Sequence, residues 1–263
     1  MTGIYVYMAD YSDVFTKCTE NFNTYTGNLD EVFWGFRQQP PILPDMYSFI
    51  GTDDQGPDEN AIKVAKSINE SLYDKYIESN SSQKIIGYGN YIPVNAQFTL
   101  HDSRHIMMSV ILFTYMNFEP RCIVEIGGGF GNWLRLNSFR TFETWTIVDL
   151  PHVLKLQEWY FENQDISRHR LLPAGSSVEH VDLVIGAHSL SEMSLQSFTD
   201  YFEKIIKKSK FLFYSWNKYS LDNAVLQEKI RMIESRFRMV IDVPSQNGHV
   251  SNTLYAAEPN LQF

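Results

Sequence analysis

The sequence predicts an α/β protein in which a doubly wound domain with a mostly parallel sheet follows a mainly helical N-terminal cap. From residue 119 onward, short apolar runs alternate with amphipathic segments, as in successive βαβ units. A glycine-rich turn directly follows the first of these runs. Before residue 119 the pattern is irregular, with only two stretches of helical spacing. We therefore expect two domains, an acceptor-binding region at 1–118 and a cofactor-binding region at 119–263.

The elements follow in order from hydrophobic periodicity. In the N-terminal cap, helical spacing predicts helices over 59–78 and 98–115. In the second domain, seven apolar runs predict strands at 122–126, 144–148, 170–172, 181–185, 210–214, 239–243 and 253–257. The segments between them predict helices near 132–138, 151–162, 194–208 and 221–236. Together they describe a seven-stranded sheet with helices on both faces.

Composition excludes several classes of protein. The 263 residues are 44% hydrophobic, so a full core can form without disulfides. The formal net charge of -9 repels a phosphate backbone and argues against nucleic acid as a partner. Cys18 and Cys122 form no zinc or disulfide motif, and the apolar stretch 106–118 is too short to cross a bilayer. We expect a cytoplasmic protein without membrane insertion and without a catalytic metal.

The turn after the first strand carries the clearest chemical signal. Gly127, Gly129 and Gly131 form the pattern G-x-G-x-G at the head of a predicted helix, where backbone N–H groups can approach a ligand. A dinucleotide-binding turn needs its third glycine at the position of Asn132. An acidic residue two positions before the first glycine, as Glu125 is, instead favours S-adenosylmethionine. A glycine-rich turn between a strand and a helix is by itself a weak signal.

A second acidic residue strengthens that interpretation. Asp149 ends the second predicted strand, at the sheet edge where α/β proteins bind their ligands. A carboxylate there can accept hydrogen bonds from both hydroxyls of a ribose. The alternative is that Asp149 only caps the helix that begins at Pro151. The turn and the carboxylate together favour S-adenosylmethionine as the cofactor.

Five separated blocks resemble the sugar O-methyltransferases with a class I methyltransferase fold, namely VEIGGGFGN, IVDLPHVLKLQEWYF, DLVIGAHSLSEM, DYFEKI and FLFYSWN. The resemblance spans residues 95–260. It implies a Rossmann-like enzyme that moves a methyl group from S-adenosylmethionine to a sugar hydroxyl of a glycan, a nucleotide-linked sugar or a deoxysugar. The cofactor contacts that it implies are Glu125, Gly127, Gly129, Gly131, Asp149, Leu150 and Ser176. The chain departs from the family at Gly186, where the family has Asn.

Two candidate catalytic residues follow the fourth predicted strand. His188 or Glu192 can take the proton of a sugar hydroxyl there, as a neutral imidazole or a carboxylate. Their spacing of four places them on one face if a helix begins at Ser191. The alternative is a capping box over 189–192, in which Glu192 only satisfies backbone N–H groups. An unperturbed imidazole predicts a rate that rises with pH near about 6.5.

The remaining candidates are possible acceptor contacts. Arg104 and His105 precede an apolar helix, and His249 lies in the loop before the last strand. Trp216 and Asn217 end the fifth strand, where an indole face and an amide suit a sugar. For each, the alternative is a core position or a solvated surface. Two other functions stay open: methyl transfer to a non-sugar small molecule, and a catalytically silent scaffold.

Overall fold

The computed structural model describes residues 20–37, 57–83, 86–87, 98–217, 223–245 and 250–258. A seven-stranded sheet forms its centre. Its strands are β1 (Cys122–Ile126), β2 (Thr144–Asp149), β3 (His169–Pro173), β4 (Leu183–Ala187), β5 (Phe211–Asn217), β6 (Phe237–Pro244) and β7 (Val250–Ala257). Each corresponds to one of the seven predicted runs. The strands therefore follow the apolar periodicity of the sequence.

The strand order is β3-β2-β1-β4-β5-β7-β6. The first five strands pair in parallel, whereas β7 is antiparallel to both β5 and β6. The sheet is thus mostly parallel, as predicted. The chain reverses its direction of travel across the sheet between β3 and β4, so the carboxyl ends of β1 and β4 flank a crevice of the kind that binds ligands in such folds.

Helices cover both faces of the sheet. They are α1 (Leu29–Trp34), α2 (Glu59–Asn80), α3 (Leu100–Tyr115), α4 (Asn132–Asn137), α5 (Pro151–Asn163), α6 (Ser189–Glu192), α7 (Leu195–Lys204) and α8 (Asn223–Glu234). The sequence did not predict α1, which is too short to show periodicity, and it considered a helix near α6 only from Ser191. The predicted helix at 194–208 ends earlier than expected, since Ile205 leaves the helical region at φ -131° and a separate 3-10 turn follows over Ile206–Lys208.

The core has two layers, one on each face of the sheet. Buried residues of α3 and α5, such as Ile111 and Tyr160, pack with Trp145 on the first face. Residues of α7 and α8, such as Phe198, form the second layer. Phe36, from the N-terminal part of the chain, belongs to the same packed group as Trp145. The described part of the N-terminal region therefore packs directly on the sheet, and the domain boundary at 118 stays a prediction.

The beginning of α3 is fixed by a capping box. The Thr99 hydroxyl accepts a hydrogen bond from the Asp102 N–H at 3.2 Å, and the Asp102 carboxylate accepts one from the Thr99 N–H at 2.9 Å. Such a box satisfies two backbone donors that a helix leaves unpaired. It fixes where the first turns of α3 begin, and with them the positions of His101, Arg104 and His105.

Candidate functional site

The glycine turn between β1 and α4 has a backbone that suits only glycine. Gly127, Gly129 and Gly131 have φ angles of +71°, +57° and +87°, and a side chain is strained in that region. A Cβ on Gly127 would also lie 2.4 Å from the Cβ of Ser189, and one on Gly131 would lie 2.3 Å from the ring of Phe161. The turn therefore presents bare backbone at the carboxyl edge of the sheet.

Two buried carboxyl groups flank this turn. Burial raises the pKa of Glu125 to about 8, with repulsion from Asp149 adding to the shift, although the Trp145 indole N–H donates to its Oε2 at 2.9 Å and opposes it. Burial raises the pKa of Asp149 to about 7, against hydrogen bonds that it accepts from Leu150 N–H and Gln157. Among the described residues, neither carboxyl group forms an ion pair. Both are therefore poised to receive hydrogen-bond donors or a cation from a ligand.

Gln157 joins the end of β2 to the glycine turn, and the sequence analysis missed it. Its Nε2 donates to Asp149 Oδ2 at 2.9 Å and to the carbonyl oxygen of Gly129 at 2.8 Å. Its Oε1 is buried and has no hydrogen-bond partner within the described part of the chain. The sequence does indicate that Gln157 is special, because this amide lies on the same buried face of α5 as Leu156 and Tyr160. A polar residue at a core position indicates a specific hydrogen-bond contact.

His188 directly follows β4 and has a strained conformation. Its φ and ψ are +65° and -42°, which costs a residue other than glycine roughly 1–3 kcal/mol. Its N–H donates to the carbonyl of Ser215 at 2.9 Å, and its own carbonyl accepts from the N–H groups of Ser191 and Glu192 at 2.9 and 3.2 Å. Backbone strain held by several contacts is concentrated at functional sites. The conformation therefore supports a role for His188 beyond packing.

The helix after His188 differs from both sequence interpretations. It begins at Ser189 rather than at Ser191, with His188 at its N-cap. The capping-box alternative is wrong, because the Ser189 hydroxyl donates to the carbonyl of Ile126 and caps nothing. That hydrogen bond ties the start of α6 to the end of β1. Consequently His188 lies beside the glycine turn.

The first turns of α3 bring further imidazoles to His188. Burial lowers the pKa of His188 to about 4, and the nearby Arg104 and His101 lower it further. Burial also lowers the pKa of His105 to about 3, and His101 and His188 contribute in the same direction. Both imidazoles are thus neutral at neutral pH. The sequence placed these residues in separate candidate groups, and the fold makes them one group.

Arg104 itself links α3 to the start of α2. Its Nε donates to the Asp58 carboxylate at 2.9 Å, and Asp58 also caps α2 by accepting from the N–H groups of Asn60 and Ala61. The side chain is nearly half exposed. Its charge therefore acts on the imidazoles at the edge of the site.

Glu192 lies beside a lysine that the sequence analysis missed. Burial raises the pKa of Glu192 to about 7, while Lys229 opposes the shift. Lys229 is fully buried, and its Nζ donates to the carbonyl oxygens of Leu190 and Ser191 at 3.0 Å each. It occupies a position on the apolar face of α8, where a charged residue is unusual. Lys229 thus anchors α6, the helix that follows His188.

The other candidates lie in different surroundings. Leu150 is half buried at the start of α5, and the Ser176 hydroxyl donates to the carbonyl of Pro173 at 2.6 Å. Trp216 is half buried and packs against the layer formed by α7 and α8. The side chain of Asn217 and all of His249 lie outside the described residues.

The departure at Gly186 has a local explanation. A Cβ at this position would lie 2.3 Å from Cδ1 of Leu190. Leu190 is fully buried in the second core layer, so it cannot move away without displacing its packed neighbours. The leucine of α6 therefore fills the space that an Asn side chain would need.

No group of three or more His, Cys, Asp or Glu side chains that could hold a metal occurs among the described residues. Catalysis without a metal stays a prediction. None of the described helices is both long and apolar enough to span a membrane.

Comparison with known proteins gives structural relatives only. No family model matches the chain, and no curated protein matches it at a significant level. Among solved structures, the PH0226 protein of Pyrococcus horikoshii has a TM-score of 0.50 and 13% identity over 66% of this chain and 100% of its own. PH1948 of the same organism, provisionally named an RNA methyltransferase, has a TM-score of 0.50 and 12% identity over 72% and 98%. An S-adenosylmethionine-dependent methyltransferase of Clostridium acetobutylicum has a TM-score of 0.48 and 10% identity over 57% and 89%.

At these identities the likeness shows the fold. The chain has the class I methyltransferase fold, as the sequence predicted. S-adenosylmethionine is the cofactor expected for this fold. The narrower resemblance to sugar O-methyltransferases stays a prediction.

Proposed function

We propose that this protein is an S-adenosylmethionine-dependent O-methyltransferase that acts on a sugar hydroxyl. One observation carries the proposal: two buried carboxyl groups without cations flank a bare glycine turn, and neutral imidazoles lie at the same edge of the sheet. The first feature suits a ligand that brings its own donors and positive charge. The second suits removal of a proton from a neutral hydroxyl.

The residues fit S-adenosylmethionine. Glu125 would receive the ammonium group, directly or through water, and Asp149 would accept from the ribose hydroxyls. The turn over 127–131 would lie against the methionine and ribose, since its glycines carry no side chain that would block their approach. Leu150 would contact the adenine, and the Ser176 oxygen would accept from the exocyclic amine. When bound, the cofactor supplies an electrophilic methyl group on a sulfonium.

We assign the removal of the proton from the acceptor hydroxyl to His188. His188 would accept the proton of the acceptor hydroxyl on an unprotonated ring nitrogen and become an imidazolium, while the cofactor would supply the methyl group and leave as the neutral thioether. The backbone contacts of His188 hold its main chain at the end of β4 before substrate arrives, which limits the reorganisation needed. Glu192 is the second candidate for the base, or else it orients the imidazole.

The acceptor class is the least constrained part of the proposal. Arg104, His105, Trp216, Asn217 and His249 are the proposed contacts, with the N-terminal region 1–118 covering the acceptor. An indole face, an amide and imidazoles suit a polyhydroxylated ligand. The net charge of -9 opposes a polyanionic acceptor such as RNA. A cytoplasmic location follows from the nucleotide-linked sugars and glycan precursors that such an enzyme would use.

Two other functions compete with this one. A non-sugar small molecule could be the acceptor, because the cofactor half is better defined than the acceptor half. A catalytically silent scaffold is the other candidate, and the glycine at position 186 is its support. The strained His188 argues against a scaffold, since a silent protein has no physical need for that conformation.

Acceptor screening tests the proposal. The protein is incubated with methyl-labelled S-adenosylmethionine and panels of free, nucleotide-linked and glycan sugars, with phenols and amines as the comparison panel. Label in a sugar ether supports the proposal. Label only in phenols or amines would move the assignment to a non-sugar acceptor, and no transfer despite cofactor binding would favour the scaffold.

A further inference from the structure

A chain of hydrogen bonds with fixed polarity begins at a buried ion pair and ends at His105. Arg135 pairs with the Asp102 carboxylate, and both are buried. Its Nε also donates to Asn132 Oδ1 at 3.0 Å. A guanidinium group has donors only. Asn132 must therefore turn its oxygen toward Arg135 and its NH2 group the other way.

The same polarity decides where His105 carries its proton. Asn132 Nδ2 lies 3.1 Å from His105 Nδ1. Because an NH2 group can only donate, His105 Nδ1 must accept and is unprotonated. A neutral imidazole has a single ring proton, which is then on Nε2.

The ring of His105 is also fixed in space. It stacks on the indole of Trp133 with 10° between the planes and 5.7 Å between centroids. The indole N–H in turn donates to the Ser109 hydroxyl. Nε2 has no hydrogen-bond partner among the described residues, and His105 is half-buried. His105 thus presents one free N–H in the group of imidazoles around His188.

We propose that Asn132 is a positioning residue that keeps the proton of His105 on Nε2, and that this N–H donates a hydrogen bond to the acceptor oxygen. The acceptor part rests on the proposed function. The site then has two imidazoles with opposite roles: His188 takes the proton, and His105 holds the oxygen that loses it. Asn132 occupies the position where a dinucleotide-binding turn has its third glycine, which allows close packing of the helix on the strand, so a polar side chain is present here instead of none.

Nitrogen NMR of the imidazoles tests the positioning role directly, with or without activity. Long-range proton–nitrogen spectra of the full chain distinguish a protonated from an unprotonated ring nitrogen, and comparison with His105→Gln assigns the His105 signals. We expect a protonated Nε2 and an unprotonated Nδ1 at neutral pH. A proton on Nδ1 in the wild-type protein would overturn the proposal.

Asn132→Asp tests the cause, because it keeps the shape but can only accept. Arg135 holds one carboxylate oxygen, and the other requires a proton on His105 Nδ1. We expect the NMR spectra to show a protonated Nδ1 and an unprotonated Nε2 on His105. The KM for the acceptor should rise roughly tenfold, the usual effect of losing one hydrogen bond to a polar ligand.

Asn137→Asp is the matched control, because Asn137 is a buried amide of the same helix that contacts Tyr76 and Ser109 and not His105. It should leave the His105 signals unchanged. Unchanged signals in Asn132→Asp would contradict the positioning role.

A second pair of variants tests the donor role in case Asn132→Asp folds poorly. His105→Gln keeps an N–H near the position of Nε2, whereas His105→Phe removes it. We expect the first to keep a KM for the acceptor within about threefold of wild type and the second to raise it roughly tenfold. Equal losses in both variants would show that His105 acts as a base or only packs. If no acceptor is ever methylated, the proposed function fails, while the NMR result still decides the role of Asn132.

Discussion

The proposed cofactor half and the proposed acceptor half of this site are built in different ways. The cofactor half, formed by Glu125, the turn over 127–131 and Asp149, comes from two adjacent parallel strands and the loop between β1 and α4. The acceptor half, formed by 101–105, His188 and Glu192, joins the start of α3 to the end of β4. The first half can therefore be predicted from the spacing of its residues along the sequence. The second exists only after the chain has folded.

The two halves also differ in their titratable groups. The cofactor half holds two carboxyl groups whose pKa values are raised, and the acceptor half holds two imidazoles whose pKa values are lowered. Burial is the main cause in every case. Glu125 and the two imidazoles therefore favour their uncharged forms near neutral pH in the absence of ligand, and Asp149 is protonated part of the time. Binding of a cationic cofactor would change the protonation of the cofactor half only, so the two halves can be tested separately.

The largest effect that would separate the halves is expected at His188. His188→Ala should lower kcat by roughly 10²–10⁴-fold, the typical cost of losing a positioned base, and leave cofactor affinity unchanged. Glu192→Gln should lose less if Glu192 only orients the imidazole. Steady-state kinetics and calorimetry check the two parts. A His188→Ala variant that keeps most of its turnover would transfer the base to Glu192 or to 101–105.

The converse change is Asp149→Ala. We expect cofactor affinity to fall by roughly 1–3 kcal/mol, since the ribose hydroxyls lose their acceptor. Asp182→Ala is a matched control, because Asp182 accepts backbone N–H groups of Arg121 and Cys122 at the opposite edge of the sheet. It should cost stability without changing cofactor affinity. Equal loss of affinity in both variants would mean that the effect is global.

The pH profile of kcat/KM for the acceptor, measured at saturating cofactor so that Glu125 and Asp149 do not contribute, sharpens the choice of base. An unperturbed imidazole predicts an ionisation near about 6.5, and burial moves the pKa of His188 down to about 4. The competent form is neutral, so the rate should stay level as pH falls from 8 to about 5 and drop only when His188 protonates. A drop that begins near pH 7 would instead match Glu192, whose pKa burial raises to about 7.

The smallest expected effect concerns strain. Ala at position 188 keeps the cost of positive φ, whereas Gly relieves it, so His188→Gly should be more stable than His188→Ala by about 1 kcal/mol in denaturant unfolding. Asp165, the other described non-glycine residue with positive φ, gives the control. Asp165→Gly should show a similar gain over Asp165→Ala and leave turnover intact. Absence of any difference at 188 would mean that the site stores no strain there.

The sequence predicts the strands well because buried strands of a parallel sheet are continuous apolar runs. It misplaces the ends of β5 and β7. Their antiparallel pairing extends to Asn217 and Val250, past the apolar part of each run. Polar residues such as Ser215 and Asn252 then continue the strands, and periodicity in the sequence gives them no signal.

The site shows the same limit. The roles proposed for Glu125 and Asp149 could be inferred from the sequence because they depend on distance from a glycine turn along the chain. Gln157 and Lys229 leave only an indirect signal, a polar residue on an apolar helix face. Asn132 has none that points to His105, because that contact joins α4 to α3. Contacts between elements far apart in sequence need the fold.

The most direct test of the account is calorimetry of S-adenosylmethionine binding near pH 7 in buffers with different ionisation enthalpies. Before binding, Glu125 and Asp149 have raised pKa values and carry protons part of the time. The ammonium and ribose hydroxyls favour their ionised forms and lower those pKa values, so binding should release roughly one proton per cofactor. The released fraction should shrink in Asp149→Ala. No detectable binding, binding without proton release, or equally tight binding of a nicotinamide dinucleotide would contradict the account.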